Sequence, residues 1–260
     1  MDEPPSGAGS RPQLTFFFPA FNEEENVEST VARAVSEIGP LIESLEVLIV
    51  DDGSTDRTPQ LADALADADP RVRVVHQPNR GYGGALRAGF EHAAGELICF
   101  SDGDLQFDLS EMSLLLERLR ATDRPVDGVL GYRKRRRDPV HRIVIAKTYN
   151  AIVSLLFGLR VRDIDCAMKL FRREIFVGLP LDAEGPFLSA ELLIKLRARG
   201  VRMAQVGVTH FPRAAGTNTG ASFGKILRTF GDIGRLRWAL WFDRRRALGP
   251  RAAPGPAEGG

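Results

Sequence analysis

The amino-acid sequence predicts an α/β fold in which a mostly parallel, Rossmann-like sheet carries helices on both faces. Short apolar runs alternate with longer stretches of helical periodicity from residue 14 to residue 133. The runs are unbroken, which is typical of strands buried on both faces. Their alternation with helices indicates right-handed crossovers between parallel strands. The predicted strands are 14–20, 45–52, 72–77, 96–102 and 127–132, and the predicted helices are 24–38, 56–66, 83–93 and 109–121.

Polar residues at the starts of the first two helices support these assignments. Asn22 and the acids Glu23–Glu25 precede the first helix, where the helix dipole stabilises negative charge. The second helix follows the sequence DGSTDRT, in which Ser54, Thr55 or Asp56 can cap the first turn.

The pattern changes after residue 133. A long amphipathic segment at 138–159 precedes an irregular stretch, a predicted helix at 187–199 and a predicted strand at 201–209. The segment 222–246 alternates aliphatic or aromatic residues with arginine at helical spacing, which predicts an amphipathic helix. No uninterrupted apolar run reaches the roughly 20 residues that a membrane-spanning helix needs.

The two ends of the chain differ in composition from the rest. Residues 1–12 and 247–260 are rich in Pro, Gly and Ala and are predicted to be disordered tails. They flank a folded domain at 13–221 and a C-terminal helical region at 222–246. No basic segment followed by an apolar one opens the chain, so a signal peptide is not expected. Cys99 and Cys166 lack metal-ligand spacing and are predicted to be buried, reduced thiols, as in a cytoplasmic protein.

Charge is unevenly distributed along the chain. Over all 260 residues the net charge is +1, and a hydrophobic content of 43% is ordinary for a soluble globular protein. The stretch 133–173, however, holds twelve Lys or Arg against three Asp, which predicts an anionic partner. The run RKRRR at 133–137 is also compatible with nucleic acid, but no recognition fold or stacking platform accompanies it, so nucleic-acid binding is not expected.

Acidic and amide residues follow the fourth predicted strand. Asp102 and Asp104 are separated by one glycine, and Gln106 comes two residues later. Because ligands of parallel sheets bind beyond the carboxyl ends of the strands, these groups are expected to share an edge with the residues that follow the first two strands. All-oxygen donors of this kind suit Mg²⁺ or Mn²⁺, with substrate phosphate completing the coordination shell. The alternative is a set of ordinary acidic turn residues.

A glycine cluster, NRGYGGALRAG, occupies residues 79–89. It fails the dinucleotide-binding pattern because Leu86 stands where the third glycine is required, and because it follows the third strand rather than the first. A nicotinamide or flavin site is therefore not expected. The glycines are predicted to allow the loop and the helix start to approach phosphates or sugar closely.

Five segments together give the chain a family resemblance over roughly residues 13–240. The sequence resembles a family 2 glycosyltransferase of the GT-A fold, in the branch that contains dolichol-phosphate mannose synthase and bacterial polyprenyl-phosphate glucosyltransferases. The segments are FPAFNEEENV, VLIVDDGSTDRT, NRGYGGALRAGF, SDGDLQ and SAELLIKLRARGVRMAQVGVTHFPRAAGTNTG.

The resemblance implies a role for particular residues in a nucleotide-sugar site. Phe21 stands where the family commonly has Tyr, which removes one hydroxyl. The implied contacts are Pro19, Phe21 and Glu23 to the base and ribose, Asp52 to a base N–H, Gly81 in the donor site, Asp102, Asp104 and Gln106 to Mg²⁺ or Mn²⁺, and Arg133 and Arg213 to phosphates.

The implied reaction is an inverting, metal-dependent transfer of a hexose from a nucleotide sugar, of the GDP-mannose or UDP-glucose type, to polyprenyl or dolichyl phosphate. A phosphate monoester is already mostly a dianion at neutral pH, so this acceptor needs no carboxylate base. A base role stays open for Asp163, Asp165 or Glu191. The alternatives are an ion pair with a nearby Arg or Lys for the two aspartates and a structural role for Glu191. Other hypotheses are transfer to a polysaccharide or small acceptor, and a silent nucleotide-sugar binding scaffold.

Two segments, 142–159 and 222–246, have the mixed character of helices that lie in a membrane interface. Trp238, Trp241 and Phe242 are expected to enter the headgroup region while neighbouring arginines meet anionic lipid. We therefore expect peripheral binding at the inner face of the membrane, directly or through a membrane-embedded partner. The alternative is a helix packed on its own domain with a solvated basic face.

Overall fold

The computed structural model describes residues 11–134, 140–212 and 223–250. Seven strands and eight α-helices are present in these ranges, with a π-helical segment Ala34–Ile38 that continues α1 and three short 3₁₀ helices. The strands are β1 Leu14–Ala20, β2 Leu45–Asp51, β3 Val72–His76, β4 Leu97–Phe100, β5 Gly128–Arg133, β6 Lys169–Arg172 and β7 Met203–Val208. The helices are α1 Val27–Arg33, α2 Thr58–Ala68, α3 Gly81–His92, α4 Met112–Arg120, α5 Val140–Phe157, α6 Leu188–Ala198, α7 Phe223–Phe242 and α8 Arg244–Leu248.

The seven strands form one sheet in the order β3-β2-β1-β4-β6-β5-β7. The pairs β3–β2, β2–β1, β1–β4 and β5–β7 are parallel, and β6 is antiparallel to both of its neighbours. The predicted α/β class with a mostly parallel sheet is confirmed. The sequence did not predict β6, a four-residue strand with a lysine at one end and an arginine at the other.

The apolar runs are buried as their composition predicts. Phe16, Phe17 and Phe18 of β1 are fully buried, with residues on both faces of the sheet covered. The Phe17 ring packs edge-on to Phe90 of α3, with 5.1 Å between the ring centroids. A Cβ at Gly89 would lie 2.1 Å from the Phe17 ring, so α3 reaches this close contact only because residue 89 is glycine.

The starts of the first two helices differ in their hydrogen bonds. Of the three residues predicted as caps for α2, Asp56 makes the bond: its carboxylate accepts from the Thr58 N–H at 2.9 Å. Asn22, predicted to open the first helix, instead has a left-handed backbone (φ 55°), and its side chain accepts a bond from the Thr55 N–H. The helix itself begins at Val27.

The C-terminal helices pack on each other and on the domain. α7 contacts α5, and α8 contacts α6. α8 extends two residues into the segment predicted to be a tail, because the Arg199 guanidinium donates to the Leu248 carbonyl at 2.8 Å and Leu248 is buried. Among the helices of residues 11–134, 140–212 and 223–250, none combines the length and the apolar character that a membrane span requires. Cys99 and Cys166 are both free and buried, as predicted.

His76, at the end of β3, lies between two carboxylates. Its Nδ1 is 2.9 Å from Asp51 and its Nε2 is 3.0 Å from Asp63. Hydrogen bonding to Asp51 and then to Asp63 raises the pKa of His76 above its ordinary value. The protonated imidazole therefore stabilises the folded state. This stabilisation is fully present below the unfolded pKa of about 6.5 and is lost as the pH rises through the higher folded pKa.

We expect the free energy of unfolding to depend less on pH in His76→Gln than in the wild type between pH 5.5 and 9. Urea unfolding at each pH measures this difference, which is expected to stay under about 1 kcal/mol because the pair is partly exposed. His92→Gln is the control, since His92 Nδ1 contacts a backbone carbonyl and not a carboxylate. Identical pH dependence in wild type and His76→Gln would contradict the assignment.

Candidate active site

The loops that follow β1 and β2 are joined at the carboxyl edge of the sheet. The Glu23 N–H donates to the Thr58 hydroxyl at 2.9 Å, and the Asn22 N–H donates to the Ser54 hydroxyl at 3.0 Å. Together with the bond from Thr55 to Asn22, these contacts hold residues 21–23 beside the start of α2. The structure thus brings together two of the three polar loops that the sequence places at one edge.

Pro19 lies inside β1, where its missing N–H has to be accommodated. Its cross-strand partner on one side is Val50 of β2, whereas the pairing of β1 with β4 ends at Phe17. Pro19 therefore falls beyond the last residue pair on the β4 side, a position that tolerates proline. Phe21, just past the strand, is 41% exposed and presents an aromatic surface at the edge.

Asp52 links β2 to the loop before α3. Its Oδ1 accepts bonds from the Gln77 side-chain amide at 2.6 Å and from the Arg80 N–H at 2.8 Å. The carboxylate is buried, with 3% of the residue exposed. These contacts fix the carboxylate at the edge and place it next to the start of α3.

The glycine cluster is packed against the chain's own backbone. The Gly83 N–H donates to the Glu184 carbonyl at 2.9 Å, and a Cβ at Gly83 would lie 2.6 Å from the Ala183 carbonyl oxygen. Gly81 has a φ of +72° and approaches the same Glu184 carbonyl. The sequence predicted that these glycines let phosphate or sugar come close. At Gly83 the group that comes close is instead the backbone of residues 183–184. A donor contact at Gly81 stays a prediction.

Asp102 and Asp104 follow β4 in a tight turn. The Tyr82 hydroxyl donates to Asp102 Oδ1 at 3.0 Å, and Asp104 Oδ1 accepts from the Gln106 N–H at 3.2 Å. Burial raises the pKa of Tyr82 well above its ordinary value, and the charges of Asp102, Asp165 and Asp104 raise it further. The Asp102 carboxylate therefore contacts the phenol, and Asp104 follows two residues later in the same turn.

The donor set fits a hard divalent cation that keeps positions open for substrate. Asp102 and Asp104 supply carboxylate oxygens, and the Gln106 amide nitrogen donates to the Phe211 carbonyl at 3.1 Å, which leaves the amide oxygen as the atom Gln106 can offer. Within the described residues there is no cluster of three or more His, Cys, Asp or Glu side chains that could hold a metal. A cation bound here needs further oxygens from its ligand, as Mg²⁺ and Mn²⁺ sites with phosphates do.

Asp165 is an exposed residue in the loop between α5 and β6. Partial removal of its carboxyl from water by the surrounding protein raises the pKa of Asp165 to about 6, and the negative charge of Asp163 adds to this effect. Lys169 of β6 lies close enough to oppose the shift, and so does Arg133. This lysine is fully buried, donates to the Cys166 carbonyl and lies 5.2 Å from the centroid of the Phe100 ring.

Sequence reasoning missed Lys169 and Tyr82. A lysine inside the apolar run AMKLF was the available signal for Lys169, because a charge in a buried strand needs compensation. Tyr82 stood within the glycine cluster, and only the fold shows that it reaches Asp102.

Arg133, predicted to meet a phosphate, is paired with Asp163. Its Nε and Nη2 donate to the two carboxylate oxygens at 2.7 and 2.8 Å, and both side chains are largely buried. This two-point pair is the alternative that the sequence left open for Asp163. A phosphate role for Arg133 stays a prediction. Arg213 and residues 135–137 of the basic run lie outside the described residues.

Glu191 has the contacts of a structural residue. Its carboxylate is 2.7 Å from the ammonium of Lys195 one turn later and accepts bonds from the N–H groups of Asp182 and Ala183. The residue is 3% exposed. Glu191 thus holds the segment that packs on Gly83, which favours the structural alternative over a base role.

The chain matches a known protein family over most of its length. A family model described as Glycosyl transferase family 2 matches residues 15–178. The glycosyltransferase AglD of Haloferax volcanii is 33% identical over 219 residues, and the chain spans only 35% of that protein's length. The match covers 81% of this chain. The polyprenol monophosphomannose synthase of Mycolicibacterium smegmatis is 31% identical over 232 residues, which cover 82% of this chain and 85% of that protein.

Solved structures share the fold. Glucosyl-3-phosphoglycerate synthase of Mycobacterium tuberculosis, crystallised with Mn²⁺, uridine diphosphate and glucosyl-3-phosphoglycerate, matches with a TM-score of 0.60 and 24% identity. The match covers 90% of this chain and 80% of that one. The likeness confirms the predicted GT-A architecture.

Gly83→Ala is expected to destabilise the protein by about 1–3 kcal/mol, because the added methyl group would clash with backbone atoms of residues 183–184. Urea unfolding measures the loss. Gly185→Ala is the matched control in the same segment, since a Cβ there meets no atom within 4 Å. Equal stability of the two variants would show that residues 183–184 do not press on the start of α3.

Proposed function

Because the chain belongs to glycosyltransferase family 2, we propose that it transfers a hexose from a nucleotide sugar to a polyprenyl phosphate with inversion at the anomeric carbon. The observation that carries this proposal is the turn after β4, where Asp102, which accepts a bond from the Tyr82 hydroxyl, and Asp104, which accepts one from the Gln106 N–H, stand two residues apart at the edge of the sheet. Two neighbouring carboxylates with an adjacent amide suit a cation that binds a diphosphate.

The donor's nucleotide belongs beside the loops after β1 and β2. The exposed ring of Phe21 offers a stacking surface, and Asp52, with both observed bonds on Oδ1, offers its second oxygen to a base N–H. Uracil and guanine both carry such an N–H, so UDP-glucose and GDP-mannose types are the donors to test. Pro19 and Glu23 flank this position.

Asp102, Asp104 and Gln106 are the residues that would hold Mg²⁺ or Mn²⁺. When bound, the cation neutralises the diphosphate and so stabilises the leaving group. Tyr82 orients the Asp102 carboxylate through its hydrogen bond. Gln106 is oriented by its bond to the Phe211 carbonyl.

The acceptor is a phosphate monoester on a polyprenyl chain. One relative is named as a polyprenol monophosphomannose synthase, and the basic stretch 133–173 supplies charge for such an acceptor. Arg162, whose guanidinium lies 4.6 Å from the centroid of the Tyr132 ring, is held at the end of β5. Because a phosphate dianion is itself the nucleophile, no proton has to be removed from it, and the engagement of Glu191 with Lys195 is consistent with that chemistry.

The proposal is tested by incubating the full chain with Mn²⁺ or Mg²⁺ and UDP-glucose or GDP-mannose, with and without a short polyprenyl phosphate. Mass spectrometry of the products reads the transfer. Asp104→Asn is expected to lower turnover at least about a hundredfold, because it removes one of the two charges that hold the cation.

Asp108→Asn is the control for this experiment. Asp108 accepts its bonds from Ser110 through a single oxygen that an asparagine amide also provides, so this variant is expected to keep near wild-type turnover. An active Asp104→Asn enzyme would refute the metal assignment. Absence of a lipid-linked sugar product with either donor would refute the acceptor.

We further propose that α5 and α7 rest on the anionic inner face of a membrane. Trp238, Trp241 and Phe242 form an aromatic patch in which both tryptophans are about 70% exposed. Leu155 of α5 is 86% exposed, and the Arg237 guanidinium lies 5.1 Å from the centroid of the Trp241 ring. Exposed aromatics next to arginines are typical of peripheral helices on anionic lipid.

Flotation with vesicles that contain phosphatidylglycerol is expected to recover the wild type, and the double variant Trp238→Ser, Trp241→Ser is expected to float several-fold less, since two headgroup anchors are lost. Val177→Ser is the control because Val177 is also exposed, at 61%, but belongs to the segment after β6 and not to α5 or α7. Failure of the wild type to bind anionic vesicles would contradict direct contact and favour a membrane-embedded partner.

A further inference from the structure

Helix α1 holds the turn after β4 from outside. The Thr30 hydroxyl donates to the Gly103 carbonyl at 3.1 Å, and both groups are buried, with Thr30 only 2% exposed. Gly103 stands between Asp102 and Asp104. This bond therefore fixes the peptide group that leads into Asp104, and with it the relation between the two carboxylates.

The turn needs such support because its backbone is strained. Leu105 has a φ of +59°, in the left-handed region where the Cβ of an ordinary residue comes too close to the following carbonyl oxygen. Its neighbours Asp104 and Gln106 are joined by a bond from the Gln106 N–H to Asp104 Oδ1 at 3.2 Å. A strained residue of this kind persists only where the surrounding structure holds it, and such residues cluster at functional sites.

Little space is left for anything that could replace the Thr30 hydroxyl. A cavity of about 10 Å³ lies against the turn, lined by Thr30, Ser101, Asp102 and Leu105 among others. This volume is at the lower limit of what one water molecule needs. Because a buried carbonyl requires a hydrogen-bond partner, loss of the hydroxyl favours rotation of the Gly103 peptide toward another donor.

The start of α1 is tied to a different part of the proposed donor site. The side-chain amide of Asn26, which is 2% exposed, donates to a Glu23 carboxylate oxygen at 2.6 Å. Val27 and Val31 anchor the helix in the core. Helix α1 therefore connects the loop proposed to flank the base with the turn proposed to hold the cation, and only Thr30 makes the second of these bonds.

We propose that Thr30 is a positioning residue for the divalent cation, because its hydroxyl keeps Asp102 and Asp104 in the arrangement that binds the ion together with the donor's diphosphate. This inference rests on the proposed function and deepens it. Without the hydroxyl, Leu105 can relax to an ordinary conformation. Both carboxylates are then still present but are no longer held in place, so the cation is bound less tightly.

The test is titration of the full chain with Mn²⁺ in the presence of UDP or GDP, in which electron paramagnetic resonance measures the free ion. Binding of each nucleotide without metal is measured in parallel. Thr30→Val replaces the hydroxyl by a methyl group of similar size and is expected to weaken Mn²⁺ binding roughly tenfold, the loss of one buried hydrogen bond. Metal-free nucleotide binding is expected to stay unchanged. Thr30→Ser keeps the hydroxyl and is expected to restore Mn²⁺ binding.

Thr15→Val is the matched control for a loss of stability alone. Thr15 is also fully buried, and its hydroxyl donates to the Glu46 carboxylate and accepts from the Gly95 N–H at 2.8 Å. It lies near the start of β1, at the opposite end of the strands from the turn. This variant is expected to lower the urea midpoint as Thr30→Val does, and to bind Mn²⁺ as the wild type does.

Three results overturn the inference while the proposed function stands: wild-type Mn²⁺ binding in Thr30→Val, equal weakening in Thr30→Val and Thr15→Val, or equal weakening of Mn²⁺ and metal-free nucleotide in Thr30→Val. A Thr30→Ser variant as weak as Thr30→Val also overturns it, because the hydroxyl is then not the group that matters. If Thr30→Val does not fold, Thr30→Ala is judged by the same criteria. A wild type that binds no Mn²⁺ with either nucleotide refutes the proposed function and the inference with it.

Discussion

The parallel register of β1, β2 and β4 determines where the polar groups of this protein meet. Leu14 pairs with Leu45 on one side and with Leu97 on the other, so the three strands start level. β4 is shorter than β1, and its pairing stops opposite Phe17. The chain therefore leaves the sheet early, and the turn after β4 fills the space beside the last residues of β1. Gly103 allows this, because a Cβ there would lie 2.9 Å from the Phe18 ring.

Two acids that the fold buries, Asp163 and Glu191, are compensated by basic partners. Asp163 and Glu191 are neutralised by ion pairs with Arg133 and Lys195, which makes them supports for the loops that they hold. Asp165, two residues after Asp163, is exposed and has no ion pair within the described ranges. Its pKa is raised to about 6 by the surrounding protein and by the charge of Asp163, which distinguishes it from the two structural acids.

The sequence predicted the elements that depend on local pattern. Apolar runs gave the strands that are buried on both faces, and Asp102 and Asp104 were placed at the correct edge because strand ends are readable from composition. Contacts between distant residues were not readable in this way. β6 is too short to carry a pattern, and Asn22 bonds to Thr55 rather than to its own helix.

The same limit applies to the site residues. Whether Asp163 acts as a base or as a structural support depends on its partner Arg133, thirty residues away in the sequence. For Glu191 the same question depends on the loop at residues 182–183 that it holds. Only the fold shows where these partners lie. The glycines at 81 and 83 signalled a close approach correctly, but sequence alone did not reveal that the approaching group is protein backbone.

Helix α5 has two different surfaces. Leu155 is exposed and Tyr149 packs inward against the core, and six residues of helix separate them by about 9 Å along the axis. A polyprenyl phosphate presents its phosphate at the headgroup level, so an enzyme that uses it has to hold the reacting groups at a defined height above the bilayer. With α5 and α7 on lipid, as proposed, the packing of α5 on α7 and of Tyr149 on the core joins the lipid-facing surface to the rest of the domain. A helix does not change its length, so this packing would fix the height of the site above the bilayer.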